Sequence, residues 1–244
     1  MDNRRGEAVL ATQRPKVSVV IPTYREEKYI GSLLLTLAKV DHPLEVIVVD
    51  GGSPDETAKV AECFTDKVYR IHERGIAKAR NYGACRSTGD ILVFLDADVI
   101  PPLNFVEKIL DVFHDNRIVG ATCNVVPEHP RTSELIFFSL YNRLIQFSSR
   151  FLPHSRGEFI AVRREDFIET GGFDESLPCL EDHELAFRLS KLGRFVVVSD
   201  LYVRESMRRV RKSGLDAVLM MWIANYVSFI LLGRTISKTW RPVR

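Results

Sequence analysis

Two acidic residues, Asp96 and Asp98, directly follow a short apolar run and are separated by one residue. In an extended segment, positions i and i+2 share a face, so both carboxylates can reach one hard cation such as Mg²⁺ or Mn²⁺. A D-x-D pair is a weak signal by itself, because an acidic strand end is more often a turn or the cap of a helix. The spacing therefore leaves a divalent-metal site and a turn as alternatives.

A second acidic group, Glu181, Asp182 and Glu184, precedes an apolar helical stripe that ends at Gly193. Acids in a first helical turn are favoured by the helix dipole, so this group needs no catalytic explanation. The functional alternative is that one of these carboxylates is a general base in a pocket. His183, which stands among them, is interpreted as a packing or surface histidine rather than as a ligand.

Glycines and arginines mark two further positions where a ligand could approach the backbone. Gly51 and Gly52 follow Asp50 and can adopt positive φ, which suits either close approach of a ligand or a tight turn. Arg74-Gly75 and Arg80 precede or begin a helix rich in Ala and Gly, whose amide-rich end could hold an anion. For each arginine, a solvated position on a surface helix is the alternative.

The elements that position these residues follow from the alternation of short β-branched runs with amphipathic segments after residue 16. This pattern predicts parallel strands joined by crossover helices in an open, doubly wound sheet. The predicted strands are 17–21, ended by Pro22, then 44–49, 67–71 and 91–95. The predicted helices are one carrying Leu33 to Val40, one starting at Ser53 with Pro54 in its first turn, then 76–86 and 101–115. Because open α/β sheets bind ligands at the carboxyl ends of their strands, the residues after these runs are expected to share one edge.

Composition limits the class of protein. The chain has 244 residues, 45% of them hydrophobic, and 34 basic against 32 acidic residues give a net charge of +2. This excludes collagen-like and low-complexity classes, and it offers no overall positive field for a nucleic-acid backbone, so no nucleic-acid partner is expected.

The four cysteines form no C-x-x-C pair and are predicted to be reduced, mostly buried thiols. Too few apolar residues precede Gln13 for a signal-peptide core, so a cytoplasmic protein is expected.

The C-terminal part of the chain differs from the rest in charge and hydropathy. Residues 200–244 carry nine Lys or Arg against three acids, a local charge of +6, and they enclose sixteen uncharged residues, 217–232. As a helix this segment is about 24 Å long, shorter than a hydrocarbon core of roughly 30 Å, so full spanning is not expected. An interfacial membrane helix anchored by Trp222, a subunit contact and the core of the domain remain as alternatives. The apolar segment 135–151 is interpreted first as a core helix, and alternatively as the lining of a path to a lipid-linked acceptor.

Taken in order, these motifs resemble those of family-2 glycosyltransferases of the GT-A fold over roughly residues 16–200. The resemblance is carried by 17–24 with Glu26, 48–55, 77–81, Gly89-Asp90 before 91–98, Gly171-Gly172-Phe173-Asp174-Glu175, and Glu181-Asp182 with Glu184-Leu185. It implies an α/β fold with an open, mostly parallel, Rossmann-like sheet, helices on both faces and a C-terminal apolar helix. It also implies an inverting glycosyltransferase that uses a nucleotide-diphosphate sugar and a divalent cation, Mg²⁺ or Mn²⁺.

The resemblance implies a role for each candidate residue. The implied donor-binding residues are Pro22, Thr23, Tyr24, Glu26, Asp50, Gly51, Arg74, Gly75, Arg80, Asp96 and Ala97. Asp98 would be the main protein ligand of the cation, with Asp96 facing the ribose or a metal-bound water. Asp182 would be the general base, and Glu181 would orient the acceptor or the sugar. The acceptor site would be bordered by Gly157, Glu158 and Phe159.

One departure from the family pattern concerns the cation. Many relatives have a metal-ligating histidine after the acid-base helix, but no histidine follows His183 in this sequence. Water or Glu205 could take that position, or Arg208 and Arg209 could hold the diphosphate instead. The third metal ligand is therefore left open.

The predicted organisation has three parts: an N-terminal extension (1–16), a glycosyltransferase domain (17–205) and a basic and apolar C-terminal region (206–244). The domain divides into a nucleotide-binding lobe (17–100) and an acceptor lobe (101–205). The expected acceptor is a glycan or a polyprenyl-linked molecule, reached through peripheral contact with the cytoplasmic face of a membrane.

Two other functions stay open. A nucleotidyltransferase of similar architecture would need a glycine-rich, lysine-bearing start after the first strand, where Pro22-Thr23-Tyr24 stands instead. The other alternative is a non-catalytic module that binds a nucleotide or a lipid at a membrane.

Overall fold

A computed structural model of the chain describes residues 15–237, so the predicted extension 1–16 lies outside the described residues except for its last two. Within the described part, eight strands form one sheet in the order β3-β2-β1-β4-β7-β6-β8-β5. The strands are β1 (Val17–Thr23), β2 (Leu44–Asp50), β3 (Val68–Arg70), β4 (Ile91–Leu95), β5 (Val99–Ile100), β6 (Ile118–Pro127), β7 (Phe159–Arg163) and β8 (Arg194–Glu205). The helices are α1 (Ile30–Leu37), α2 (Thr57–Glu62), α3 (Ile76–Arg86), α4 (Phe105–Phe113), α5 (Thr132–Ser148), α6 (Arg164–Glu169), α7 (Glu181–Leu189), α8 (Arg208–Ser213) and α9 (Leu215–Leu232).

The amino-terminal half of the sheet is parallel, as predicted. β1 lies between β2 and β4, and β3 flanks β2 on its other side. The strand predicted at 91–95 and the helix predicted at 76–86 have those same boundaries as β4 and α3. The residues that follow β1, β2 and β4 therefore meet at one edge, which is where such sheets bind ligands.

The second half of the sheet is mixed. β7 runs antiparallel to β4 and to β6, β8 is parallel to β6, and the short β5 pairs antiparallel with the end of β8. β5 directly follows Asp98, and its residue Val99 lies opposite Glu205. The end of β8 is thereby brought beside the D-x-D segment.

Helices cover both faces of the sheet, as predicted, because the strands alternate between two hydrophobic clusters. Val19 and Val93 pack on the face covered by α1, α4 and α5, whereas Val20 and Phe94 pack on the face covered by α3, α6 and α7. All four side chains are fully buried. This alternation is the pleat of strands that are buried on both sides, so the sheet forms the middle of three layers.

Two predicted boundaries were wrong, each for a local reason. β1 does not end at Pro22 but includes it, because the last part of β1 pairs with β2 alone and a residue without an N–H is tolerated beside an open side. The helix predicted from Ser53 begins at Thr57. The Ser53 hydroxyl donates to Asp50 instead of capping the helix.

Two further expectations hold only in part. The helix predicted over 101–115 is shorter, since α4 covers Phe105–Phe113. The four cysteines are free, as predicted, but Cys63 and Cys85 are exposed, so the prediction of mostly buried thiols is wrong for these two.

The two apolar helical segments are more exposed than a core position allows. The interpretation of 135–151 as a core helix holds only for one face, with Phe138 and Ile145 buried. α5 leaves five large apolar side chains exposed: Leu135, Ile136, Leu140, Leu144 and Phe147. Apolar residues lie on both the buried and the exposed side, so the pattern does not reveal which side the domain covers. α9 confirms the helix predicted over 217–232 and, among the described helices, is the one long and apolar enough to cross a membrane, with 17% of it buried.

Gly83 determines how closely α3 approaches the sheet. A Cβ built at Gly83 would lie 2.4 Å from Val20 Cγ1 and 3.2 Å from Val49 Cγ2, so the helix would have to shift. We expect Gly83→Ala to lower the free energy of unfolding by about 1–3 kcal/mol in urea denaturation. Gly31→Ala in α1 is the matched control, because its Cβ would meet only Val60 Cγ1, at 3.4 Å. Gly31→Ala reduces the conformational freedom of the unfolded chain, so the free energy of unfolding should be unchanged or higher. Equal stability of the Gly83→Ala variant would contradict the close packing.

Candidate active site

One arginine, Arg80, lies at the centre of the predicted site. Its side chain is fully buried, and its guanidinium donates to Glu181 Oε1 (2.8 Å), Asp96 Oδ1 (2.9 Å) and the carbonyl of Gly157 (2.7 Å). A buried guanidinium is stable only when its donors find such acceptors. Arg80 therefore fixes two predicted site carboxylates, and these three donated bonds go to protein groups rather than toward a diphosphate.

The segment Gly171–Glu175 packs against Arg80 and hydrogen-bonds its neighbour Asn81. Asn81 donates to the carbonyl of Phe173 and accepts from its amide, each at 2.9 Å. The Phe173 ring centroid lies 5.3 Å from the guanidinium carbon of Arg80. Gly172 has a φ of +75°, and a Cβ there would lie 2.7 Å from Asn81 Oδ1, so this position requires glycine. Through these contacts, the segment Gly171–Glu175 helps to fix the position of the Arg80 side chain.

Asp182 and Asp96 both lie close to Arg80, beside Gly157. A Cβ built on Gly157 would be 3.4 Å from Arg80 Nη2 and 3.8 Å from Asp182 Oδ2. The same Nη2 atom donates to Asp96. The predicted base and the acid predicted to face the donor therefore lie near the same buried guanidinium.

The turn before α7 directs its two acids into the site. Leu180 precedes α7 in the left-handed region, with a φ of +62°, where a non-glycine residue costs about 1–2 kcal/mol. Such strained residues cluster at functional sites. Glu181 and Asp182 follow in the first helical turn, and both are buried.

These two neighbouring carboxylates have pKa values shifted in opposite directions. Burial raises the pKa of both. For Asp182, the charge of His183, whose Nδ1 lies 3.2 Å from Asp182 Oδ2, and that of Arg80 outweigh burial and lower the pKa to about 2. For Glu181, burial and the charge of Asp182 outweigh Arg80, so the pKa is raised. Asp182 is therefore ionised at neutral pH, as a carboxylate that accepts a proton must be.

Asp98 is held by the chain that follows β8. Ser206 Oγ donates to Asp98 Oδ2 at 3.0 Å, and Arg208 Nε lies 3.1 Å from the same oxygen. Arg208 also donates from its two terminal nitrogens to the carboxylate of Glu26, at 2.7 and 2.8 Å. Glu26 and Arg208, which were each expected to contact the donor, are thus engaged with one another. Arg209 is half-buried, and its charge acts on Glu205, Asp98 and Asp96.

The carboxylates around Asp98 fit a divalent cation in part. Burial and the charges of Glu158 and Asp98 raise the pKa of Glu205 well above its usual value, and its Oε2 is buried without a hydrogen-bond partner among the described residues. Burial and the charges of Asp98 and Glu158 likewise raise the pKa of Asp96 to about 7. A bound cation would relieve this repulsion. Within residues 15–237, no three His, Cys, Asp or Glu side chains enclose one metal position, so further ligands would have to come from the donor and water.

The residues expected to hold the base and ribose lie at the ends of β1 and β2. Asp50 accepts from the Ser53 amide at 2.9 Å and from the Thr23 hydroxyl at 3.3 Å. The Gly51 amide donates to the Thr23 carbonyl at 2.8 Å. The strand ends themselves are buried at Pro22, Thr23 and Asp50, so these residues lie beneath the exposed surface of this edge.

Tyr24 and Arg74 provide flat surfaces at the same edge. Tyr24 is partly exposed, and the guanidinium carbon of Arg74 lies 4.7 Å from its ring centroid. Gly75 follows Arg74 and precedes α3. Ala97 is buried between the two acids of the D-x-D segment. An aromatic ring and a guanidinium plane are groups on which a nucleobase can stack.

The three residues expected to border the acceptor differ in accessibility. Gly157 faces Arg80 and Asp182, as described above. Glu158 is partly exposed, and its carbonyl accepts from the Asp96 amide at 3.4 Å. The prediction is wrong for the side chain of Phe159, which is fully buried with its ring 6.1 Å from that of Phe105. It points into the core because its strand continues the alternation of the sheet.

Sequence reasoning missed two residues beside the predicted base. His154 and Tyr226 lie against His183, with ring centroids 5.9 and 5.3 Å away. His183 packs against these rings, as one of its two interpretations expected, and it also lies beside Asp182. The apolar run containing Tyr226 was recognised, but a single sequence carries no signal that α9 docks on α7.

The strand order, with the D-x-D acids after β4 and the acid pair at the start of α7, is the arrangement of the GT-A fold. The sequence profile of Glycosyl transferase family 2 matches residues 18–171, and that of Glycosyltransferase like family 2 matches residues 131–229. The chain belongs to glycosyl transferase family 2, as its motifs predicted.

Individual proteins show the same relationship. A mannosyltransferase from Pyrobaculum calidifontis, in complex with GDP-Man and Mn²⁺, superimposes with a TM-score of 0.69 at 27% identity, covering 87% of this chain and 65% of that one. The pre-mycofactocin glycosyltransferase of Mycobacterium tuberculosis is 30% identical over 77% of this chain and 43% of its own length. A glucosyl-dolichyl phosphate glucuronosyltransferase of Haloferax volcanii is 30% identical over 65% of this chain and 56% of its own. The chain thus spans about half the length of these two curated relatives.

Removing the charge of Arg80 tests how far the site depends on it. Arg80→Met keeps aliphatic volume but leaves the buried Glu181 without its cation. We expect the free energy of unfolding to fall by about 3–5 kcal/mol in urea denaturation. Arg117→Met is the control, since it breaks the exposed pair with Asp115 and should cost at most about 1 kcal/mol. Similar losses in the two variants would contradict a central role for Arg80.

Proposed function

We propose that the chain transfers a sugar from a nucleoside-diphosphate sugar to a hydroxyl or phosphate group of a glycan or lipid-linked acceptor. The transfer inverts the anomeric carbon and uses Mg²⁺ or Mn²⁺. The observation that supports this most is that the two acidic positions meet at Arg80: its Nη2 donates to Asp96, and a Cβ on Gly157 would lie close to both that nitrogen and Asp182 Oδ2. A donor held beside Asp96 and an acceptor held beside Asp182 would therefore be neighbours. The complex of the P. calidifontis relative with GDP-Man and Mn²⁺ supports the class of donor.

Asp182 is the proposed general base. Its pKa of about 2 keeps it ionised at neutral pH, so it can accept the proton of an acceptor hydroxyl as that oxygen attacks the anomeric carbon. Attack from the side opposite the diphosphate inverts the configuration. An acceptor phosphate is already ionised, so this proton transfer is needed for a hydroxyl acceptor only.

The D-x-D acids serve the departing diphosphate in this proposal. Asp98, with Asp96 beside it, would hold the divalent cation, whose charge would stabilise the leaving group. Arg80 keeps Asp96 in place through its 2.9 Å bond. Glu181, on the other side of Arg80, is proposed to orient the acceptor or the sugar.

The exposed faces of α5 and α9 support a lipid-linked acceptor and peripheral attachment to the cytoplasmic face of a membrane. On α5 and just beyond it, exposed residues recur three and four positions apart: Leu140, Arg143, Leu144, Phe147, Arg150 and Phe151. α9 exposes Met220, Ile223, Val227, Ile230 and Leu231. The helices adjoin, since Trp222 stacks on Tyr141 with centroids 5.9 Å apart. Apolar side chains interleaved with arginines are typical of helices that lie on anionic lipid.

Asp182→Asn separates base chemistry from donor binding. A thermal-shift screen of GDP and UDP with Mn²⁺ or Mg²⁺ first identifies the nucleotide. The variant is expected to bind that nucleotide like the parent in calorimetry, while transfer to a hydroxyl acceptor falls about 10²–10⁴-fold. Glu184→Gln is the matched control, because Glu184 is in the same helical turn but pairs with Arg188. A fully active Asp182→Asn enzyme would contradict the proposed base. Absence of turnover with every donor in the presence of metal would favour the non-catalytic module.

Vesicle binding tests the membrane surface. The parent should co-sediment with anionic phospholipid vesicles, less so at high salt, because screening weakens attraction to the arginines. Phe147→Gln combined with Phe151→Gln should lose most of this binding. Leu35→Gln, an exposed leucine of α1, is the control and should bind like the parent. A chain that dimerises through this face and ignores vesicles would favour the subunit-contact alternative.

A further inference from the structure

Three rings from three segments meet beside Asp182. His183 in α7 makes an edge-to-face contact with Tyr226 in α9, with centroids 5.3 Å apart and planes at 69°. It makes a similar contact with His154, from the segment before β7, at 5.9 Å and 89°. His154 and Tyr226 stack on one another at 5.7 Å. The three centroids form a nearly equilateral triangle, so the two stacked rings lie side by side and together cover one side of the His183 imidazole.

His183 also contacts Asp182 directly. Its Nδ1 lies 3.2 Å from Asp182 Oδ2, at ion-pair distance but without hydrogen-bond geometry, and both side chains are largely buried. The other titratable groups acting on this cluster are Arg80 of α3, Glu181 of α7, Tyr141 of α5, and Arg156 and Glu158 before β7. Burial lowers the pKa of His183, but Asp182 outweighs burial and raises it. Burial and the charge of His183 lower the pKa of His154 to about 4, so the second histidine is neutral.

Tyr226 reaches this cluster from the docked face of α9. Trp222 contacts α5, Tyr226 contacts His183, and Phe229 contacts α7 with centroids 6.4 Å apart. These residues are four and three positions apart, so they share one side of the helix. The docking of α9 therefore determines where the Tyr226 ring lies.

We propose that Tyr226 and His183 are positioning residues for the general base: the Tyr226 ring holds the His183 imidazole, and His183 holds the Asp182 carboxylate. The proposal rests on the role proposed above for Asp182. The two rings that pack side by side against the imidazole limit its freedom to rotate away from Asp182. The Tyr226 hydroxyl is buried without a hydrogen-bond partner among residues 15–237, so the ring and not the hydroxyl carries this role. α9 is thereby part of the catalytic site.

The direct test is the titration of the Asp182 carboxyl carbon, followed by ¹³C NMR in enzyme labelled at aspartate and assigned with Asp182→Asn. A pKa of about 2 means that the parent shows no titration of Asp182 above about pH 4. His183→Gln removes one cation while burial and Arg80 remain, so the pKa of Asp182 should rise relative to the parent. Tyr226→Leu should raise it in the same direction, whereas Tyr226→Phe, which keeps the ring, should match the parent.

Rates of transfer give a second readout. Tyr226→Leu and His183→Gln should each lower kcat without changing nucleotide binding. If Tyr226 acts through His183, the double variant Tyr226→Leu with His183→Gln should have the same kcat as His183→Gln alone. If the two residues act independently, the fold-losses of the two single variants should multiply in the double variant. Phe229→Leu is the matched control. The Phe229 ring lies on the same face of α9 as Tyr226, but it contacts Phe187 and not His183. It should leave the Asp182 titration unchanged.

The outcomes separate this proposal from the proposed function. A fully active Asp182→Asn enzyme defeats the proposed base, whatever the other variants do. An inactive Asp182→Asn enzyme, with parent-like titration of Asp182 in His183→Gln and Tyr226→Leu, overturns the positioning role alone. An equal shift in Phe229→Leu and Tyr226→Leu also overturns it, since general loosening of α9 would then suffice. Should Tyr226→Leu fail to fold, His183→Gln decides by the same titration.

Discussion

One buried guanidinium holds the site together. Arg80 has no exposed surface, and its acceptors, Asp96, Gly157 and Glu181, stand 16, 77 and 101 residues away in the chain. A buried charge that loses its partner costs about 3–5 kcal/mol. The end of β4, the loop before β7 and the start of α7 therefore cannot separate while α3 remains on the sheet. The close approach of α3 at Gly83 serves the same arrangement, because it sets the depth at which Arg80 enters the domain.

The charges around Arg80 divide the site into two unlike halves. Beside Asp182, each negative charge has a cation within reach, so the carboxylate stays ionised although it is buried. Beside Asp98, the carboxylates of Asp96 and Glu205 repel one another, and Arg208 pairs there with Asp98 and Glu26 rather than with either of them. The first half is electrostatically complete and suits proton acceptance. The second half has excess negative charge, which a divalent cation and its diphosphate would balance. The direction of the proposed reaction, from the D-x-D side toward α7, follows from this asymmetry.

The sequence predicts the parallel half of the fold because strands buried on both faces leave continuous apolar runs, as in β4, and because α3 has clear ends. A helix boundary cannot be predicted from sequence where a side chain has two possible hydrogen-bond partners. The Ser53 hydroxyl donates to Asp50 instead of capping α2. Prediction also fails for contacts that join remote segments. Arg208 meets Glu26 across 182 residues, and no local pattern gives the register of β8 or the docking of Tyr226 that such contacts require. The motif acids and Arg80 were found from sequence because they belong to the ordered set of motifs that resembles the family, and not because a local pattern shows their contacts.

α9 explains how a helix can be apolar nearly all round and still form part of a domain. One side carries Tyr226 and its aromatic neighbours against α5 and α7. A second side carries Asn225 and Ser228, which are covered by the chain that returns along the helix: the Ser237 amide donates to Asn225 Oδ1, and Ser228 Oγ donates to the Arg234 carbonyl, each at 2.8 Å. Only the third side remains exposed in the described structure. Because two sides are already satisfied by the protein, the helix needs a partner along one side alone, and an interfacial position meets that need without crossing a bilayer. The proposed membrane contact and the proposed contact with the base then lie on different sides of one rigid helix.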